Sequence, residues 1–458
     1  MNSVHARKAL LPTGWADDVR LRIRAGRIVQ LVRGDAPGPG DVRVDCLIPG
    51  ISNSHSHAFQ RALAGWTEQR ASGAEDNFWT WRERMYEFAA AMNESRLYAV
   101  ARQAYTEMLL SGYTSVAEFH YLHRDPDSAA RDPMFHALSR AADDCGMRLT
   151  YVPVLYERAG FDNAQPEGAQ TLFAQDLGSF LSHVERARDA AGGRISVGIG
   201  AHSIRAVSAE SLAEIAAVAK TTGAPMHIHV AEQQREVDQS LASYQRRPVR
   251  WLLENFSVDE NWCLVHATHI DDEEITALAA TEAVVSLCPS TEANLGDGLF
   301  PLRRFLTAGG RISIGSDSQI TINPFEELRW LEYGQRLRAQ ARNIAAIDST
   351  YVGRELFERA VAGGAQACGH RMSGITTGAF ADFVCLYGGD PMLVAHDDAT
   401  RIDALVFSGY RLPIERVMVQ GEWVVVDGQH VSMDESRAAY RDAVAGLMPA
   451  KPLSAGQS

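Results

Sequence analysis

The sequence predicts an α/β chain: a closed TIM (β/α)8 barrel carrying a smaller β-sandwich assembled from both chain ends. Three observations carry that prediction. Eight apolar runs of strand length recur along the middle of the chain. Long amphipathic stretches separate them, and the two ends hold short strand-like runs with turn punctuation instead. At 458 residues the chain exceeds the roughly 250 to 300 residues over which one core keeps growing, so a large domain with a satellite is expected.

At the N-terminal end, Val19-Arg20-Leu21-Arg22-Ile23 alternates with period two, and Gly26 sets a turn before the apolar run Ile28 to Val32. The barrel strands are expected at Cys46 to Ile48 leading into His55, Thr114 to Phe119, Leu149 to Leu155, Ile195 to Ala201, Pro225 to Val230, Cys263 to His266, Ala283 to Cys288 and Ile312 to Asp317. Eight is the number a closed parallel barrel needs. Stretches such as Ser95 to Ser111 and Ser208 to Thr221 recur at three and four and form its helical ring. The chain is helical again after Pro324. From about Ala381 it returns to strand-like runs, Phe383 to Tyr387, Ala404 to Phe407 and Arg416 to Val419, and closes on a hairpin, Gly421 to Gly428. The expected division is 1–47 and 376–445 for the sandwich, 48–375 for the barrel and 446–458 for a tail, with Lys451 to Ser458 disordered.

Composition excludes several classes. The hydrophobic share of 46% and charged share of 22% are ordinary for a water-soluble domain, and no apolar run approaches the roughly 20 residues that span a bilayer. The opening Met-Asn-Ser-Val-His-Ala-Arg-Lys lacks a signal peptide's apolar core, so a cytoplasmic location is expected. The six cysteines show no Cys-x-x-Cys pair and read as small buried hydrophobes. A net charge of -13 without a basic block argues against nucleic acid and anionic membranes and favours a small-molecule substrate. An anionic substrate would need specific arginines to hold it against that field.

The chemistry-bearing signal begins at Asn53-Ser54-His55-Ser56-His57. On an extended chain residues two apart point the same way, so both imidazoles can aim at one metal in the barrel mouth. Three more ligand-type residues stand at the ends of later strands, where barrel enzymes place their chemistry: His229 in His227-Ile228-His229-Val230-Ala231-Glu232, His266 in Leu264-Val265-His266, and Asp317 in Ile314-Gly315-Ser316-Asp317. His227 reads as a packed histidine. His120 and His269 read as structural, and His5, His123, His370, His396 and His430 as solvated.

On these residues the sequence resembles the amidohydrolase superfamily and its deaminase-like, one-metal branch. The resemblance implies that His55, His57, His229 and Asp317 bind one divalent metal, zinc first, with iron(II) or manganese(II) also accepted by such ligands. It implies Glu232 and His266 as proton-handling groups, with Asp317 accepting the proton of a water. The absence of a lysine beside these strand ends fits one metal, because two-metal relatives bridge theirs with a carbamylated lysine. Three imidazoles and a carboxylate leave zinc an open position, where its chemistry is to lower a water's pKa toward about 7.

A closer resemblance, to the formimidoylglutamate deiminase family, rests on Ser54-His55-Ser56-His57-Ala58-Phe59-Gln60-Arg61-Ala62-Leu63-Ala64-Gly65. Supporting stretches are Phe78 to Tyr86, Ala117 to Tyr121, Ala201 to Arg205 and Pro289 to Gly298. It implies hydrolytic deimination in histidine breakdown, a dicarboxylate amidine as substrate, and a homodimer. Such a substrate needs an arginine fork and neutral donors, which Arg205, His202, Arg82, Tyr121 and Gln60 supply. Arg84 competes with Arg82 for that role. The rival expectations are a ring deaminase of the same branch, acting on guanine or a cytosine-like ring, and a non-catalytic barrel scaffold.

Overall fold

The computed structural model describes residues 2–69, 76–125, 128, 130–409, 411–445 and 447; the expected disordered tail lies outside them. Eight parallel strand positions close a barrel: Ile51–Ser56, Tyr113–His120, Arg148–Leu155, a fourth broken into Ile195–Val197 and Ile199–Ser203, Met226–Val230, Trp262–His266, Val284–Leu287 and Arg311–Ile314. Closure comes from a parallel bridge between Ser56 and Asp317, with Asp317 N donating to His55 O at 3.0 Å and His57 N donating to Asp317 O at 3.0 Å. The strands read as unbroken apolar runs because both their faces are buried.

Helices follow the strands. Glu94–Ser111 starts at Asn93, whose side chain accepts from Arg96 N, and ends at the left-handed Gly112. Pro324–Ala339 starts at Asn323, whose side chain accepts from Phe325 N and Glu326 N. No helix among the described residues is long and apolar enough to cross a membrane.

Both chain ends join in one eight-stranded sheet. Val42–Pro49 pairs in parallel with Asn2–Leu11 and antiparallel with Phe383–Leu386. The sheet curls over its own core of Val4, Val19, Leu21, Leu47, Phe383 and Met418, and Ile28 N donates back to Ala379 O at 3.0 Å.

Two expectations are corrected here. Cys46 to Ile48 belongs to this sheet, and the first barrel strand starts at Ile51; the two strands meet with only Gly50 between them, so one apolar run conceals two sheets. Ala404 to Phe407 is part of the helix Arg401–Phe407, since a short apolar run fits a buried helix as well as a strand. A final helix, Met433–Ala445, packs on the barrel helix Glu94–Ser111, where Thr106 and Ser436 hydroxyls meet at 3.2 Å.

Candidate active site

The strand ends place their polar side chains at one mouth of the barrel. His55 Nε2 stands 3.2 Å from His57 Nε2 and 3.0 Å from His229 Nε2. Asp317 Oδ1 lies 3.3 Å from His57 Nε2 and 3.5 Å from His55 Nε2. Local distortions aim them. The pairing register slips at Asn53/Ser56 and again at Ile228/His229, and such bulges redirect side chains. Ala231, His266 and Asp317 hold left-handed backbone at φ of 49, 69 and 47°, strain of the kind that gathers at functional sites.

The donor set suits a single divalent cation. His57 Nδ1 donates to Phe119 O at 2.7 Å, which leaves Nε2 as a lone pair. Burial holds His55 and His57 neutral, pulling them down to about 4 and about 3. Burial raises Asp317, but His55, His266 and His57 outweigh it and keep the carboxylate ionised. Neutral imidazoles with their lone pairs converging on a carboxylate oxygen could hold a cation.

Beside them, His266 Nδ1 donates to Glu292 Oε1 at 3.2 Å, and its Nε2 lies 3.7 Å from Glu232 Oε1 and 3.8 Å from Asp317 Oδ2. Burial alone would lower His266; Glu232, Glu292 and Asp317 overcome it and push the imidazole up to about 10. Burial, with Asp317 adding and His266 opposing, pushes Glu232 up to about 7. A carboxyl poised near neutrality beside an imidazolium is suited to passing a proton.

A narrow cleft opens onto this cluster, and Gln60, Arg82, Tyr121, His202 and Arg205 all line it. Gln60 Nε2 donates to the Tyr121 hydroxyl at 3.1 Å. The Tyr121 ring packs edge-on to His57 and His202, at 5.1 and 5.6 Å. Arg82 lies 4.5 Å over Trp79 and Arg205 5.9 Å over the same ring, and among the described residues neither has a carboxylate partner. Gln60 Oε1 and Arg82 Nε are buried without a hydrogen bond, a deficit of about 1–3 kcal/mol apiece that a polar ligand relieves. Arg84 turns away, donating to Gln69 O at 2.7 Å and Thr67 O at 3.3 Å.

Several neighbours escaped the sequence reading. Glu292 holds His266. Glu118 accepts from Ser56 Oγ and Ala58 N, both at 2.6 Å, pinning the His55–His57 segment. Asn53 and Gln319 tie the first strand to the eighth through Ser316 and Ser56. Tyr86, Tyr156 and Phe173 complete the cleft's walls. Of these, Asn53, Tyr86, Glu118 and Glu292 lie inside stretches already singled out. His227 is packed as expected, its Nε2 2.8 Å from Ala367 O. Four of the five solvated readings are corrected: His5 and His430 are buried, and His123 and His370 bond Val154 O and Arg148.

A profile described as the amidohydrolase family matches residues 46–424, and one described as Formimidoylglutamate deiminase HutF, N-terminal domain, matches residues 1–45. The chain therefore belongs to the amidohydrolase family and is a metal-dependent hydrolase acting on C–N bonds, and it carries the N-terminal module of the formimidoylglutamate deiminase branch. The formimidoylglutamate deiminase of Pseudomonas aeruginosa is 45% identical over 98% of this chain and 100% of its own. A 5-methylthioadenosine/S-adenosylhomocysteine deaminase of Halobacterium salinarum is 28% identical over 93% of this chain and 92% of its own. Among solved structures, an amidohydrolase from Brucella melitensis superposes with a TM-score of 0.93 at 42% identity, covering 98% of this chain and 100% of that one. A zinc-bound adenosine deaminase from Xanthomonas campestris shares the fold, with a TM-score of 0.81 at 20% identity over 97% of this chain and 98% of that one.

Proposed function

We infer that the chain hydrolyses N-formimidoyl-L-glutamate to N-formyl-L-glutamate and ammonia, a step of histidine degradation. The observation that carries this reading is the pairing of an enclosed His/Asp cluster with two unpartnered arginines opening onto the same cleft. His55, His57, His229 and Asp317 would hold one divalent metal, zinc first, which when bound supplies electrophilic activation of a water. Asp317 takes a proton from that water. His266, as an imidazolium, steadies the negative charge that develops on oxygen. Glu232 delivers a proton to the departing nitrogen, and a carboxyl held near neutrality can both accept and return it.

Arg205 and Arg82 take the two carboxylates, with Gln60, Tyr121 and His202 as neutral partners; burial, and then Arg205, keeps His202 uncharged. The aromatic walls would serve a ring-amine substrate as well. Two arginines without carboxylate partners would not. The enzyme is read as a cytoplasmic homodimer.

Ammonia release by the metal-loaded protein from N-formimidoyl-L-glutamate, with guanine, cytosine and an S-adenosyl nucleoside alongside and a chelated blank, tests the reading. Release from formimidoylglutamate alone supports it. Release from a ring compound overturns the carboxylate roles of the arginines while leaving the metal chemistry.

A further inference from the structure

Asp317 presents its two oxygens to different neighbours. Oδ1 faces His57 and His55, at 3.3 and 3.5 Å, whereas Oδ2 faces His266 Nε2 at 3.8 Å. On that second side stands a residue the mechanism does not use. His266, Cys288 and Asp317 each offer a ligand atom within 4.8 Å of the other two, and all three are buried. Cys288 directly follows the seventh barrel strand, and its backbone N–H donates to Glu292 Oε1 at 3.0 Å, the oxygen that also receives His266 Nδ1. Glu292 thereby fixes the strand end and the imidazole together and leaves His266 Nε2 as the free nitrogen. The Cys288 thiol is fully buried and makes no hydrogen bond among the described residues. The other five cysteines are also buried, but none of them joins such a group among the described residues.

We propose that Cys288, His266 and the Oδ2 side of Asp317 form a second, thiophilic cation site, and that a soft divalent ion entering it through the cleft inhibits the enzyme. Bonds of about 2.3 Å to sulfur and 2.0–2.2 Å to nitrogen and oxygen set the ligand atoms of a tetrahedral site about 3.3–3.7 Å apart, so the three groups need to close by only about 1 Å. Binding exchanges two protons for the ion: the S–H bond and the Nε2–H bond of the His266 imidazolium break, ion–sulfur and ion–nitrogen bonds form, and both protons leave to solvent. A thiolate, an imidazole and a carboxylate select cadmium, or zinc in excess, over magnesium or calcium. An ion held there takes His266 and Asp317 away from proton handling. That inhibitory consequence rests on the roles proposed above; the binding does not.

The test is a cadmium titration of the protein loaded with one equivalent of zinc. It follows thiolate-to-cadmium charge-transfer absorption in the ultraviolet together with ammonia release. Exchange of cadmium into the His/Asp cluster adds no sulfur ligand and is silent in that band. The expected result is a band saturating near one equivalent, release of two protons, and at least tenfold loss of turnover. Cys288→Ala and the near-isosteric Cys288→Ser should keep the zinc-loaded, cadmium-free turnover near the parent's, lose the band, and need at least tenfold more cadmium for inhibition. Absence of the band in the parent, or a band unchanged in both variants, would overturn the site. A Cys288-dependent band without loss of turnover would keep the cation site and overturn its inhibitory role. Failure of formimidoylglutamate as substrate leaves the band measurement standing, so the two readings fail separately.

Discussion

The Nε2 atoms of His55 and His229 stand 3.0 Å apart across the barrel mouth, with His57 Nε2 3.2 Å from His55. Burial keeps the His55 and His57 imidazoles neutral, and nitrogens converging this closely on one carboxylate oxygen suit a shared cation. His55→Ala and Asp317→Asn are expected to abolish stoichiometric metal binding and turnover, measured by elemental analysis and ammonia release. Metal at 100 times its Kd should stabilise the parent by about 2.7 kcal/mol in melting experiments, and the variants should show no such gain.

Glu232→Gln keeps every proposed metal ligand but cannot pass a proton. Metal content should stay at the parent's value while kcat falls by about 10²–10⁴-fold. Full turnover in this variant would remove Glu232 from the reaction.

Arg205 is asked to bind a carboxylate in both ground and transition states. Arg205→Met should raise KM for the dicarboxylate about 10- to 100-fold, the equivalent of a charge-assisted hydrogen bond of about 1.5–3 kcal/mol. A parent-like KM would place the guanidinium outside the binding site.

Gly315 packs against the first strand so closely that an added Cβ would lie 2.7 Å from His55 O and 2.8 Å from His55 Cβ. Gly315→Ala should lower stability by about 1–3 kcal/mol through overpacking and, because His55 must move, weaken metal affinity. Chemical denaturation and metal titration measure the two effects; a variant with parent-like values for both would refute this account.

Glu327 is buried beneath the mouth, where it accepts from Ser290 N at 2.9 Å. Burial pushes it up to about 8, against the pull of the Ser290 and Thr321 hydrogen bonds. A carboxyl raised in the folded state binds a proton that the unfolded chain, with its ordinary Glu, has already released. Stability should therefore fall as pH rises from about 5 to about 8. Glu327→Gln should flatten that decline, as read from Tm against pH; an equally steep slope would assign it to other groups.

The barrel was legible because parallel strands buried on both faces leave uninterrupted apolar runs, and His55 with His57, His229, and Asp317 stand at or just past the ends of three of them. What stayed hidden depends on neighbours distant in sequence. Glu292 matters through His266, Glu118 through Ser56 and Ala58, and Gln319 through two serines, and no periodicity reports such partners. Arg82 and Arg84 were separable only once the helix Phe78–Ala90 was in place, with Arg82 stacked on Trp79 and Arg84 held by backbone carbonyls. The burial of His5 and His430 had no local signature. His430 packs against Cys145 O, a partner 285 positions away.

The interlaced sheet has a consequence for how the protein is made. Val42–Pro49 finds Asn2–Leu11 as soon as both leave the ribosome, but its other neighbour, Phe383–Leu386, is synthesised only after the whole barrel. At about 5–20 residues per second that edge waits on the order of tens of seconds with its hydrogen-bonding groups open. During translation the N-terminal strands are thus an aggregation hazard that the last seventy or so residues remove, and a chain truncated before Phe383 would be left with that edge permanently exposed.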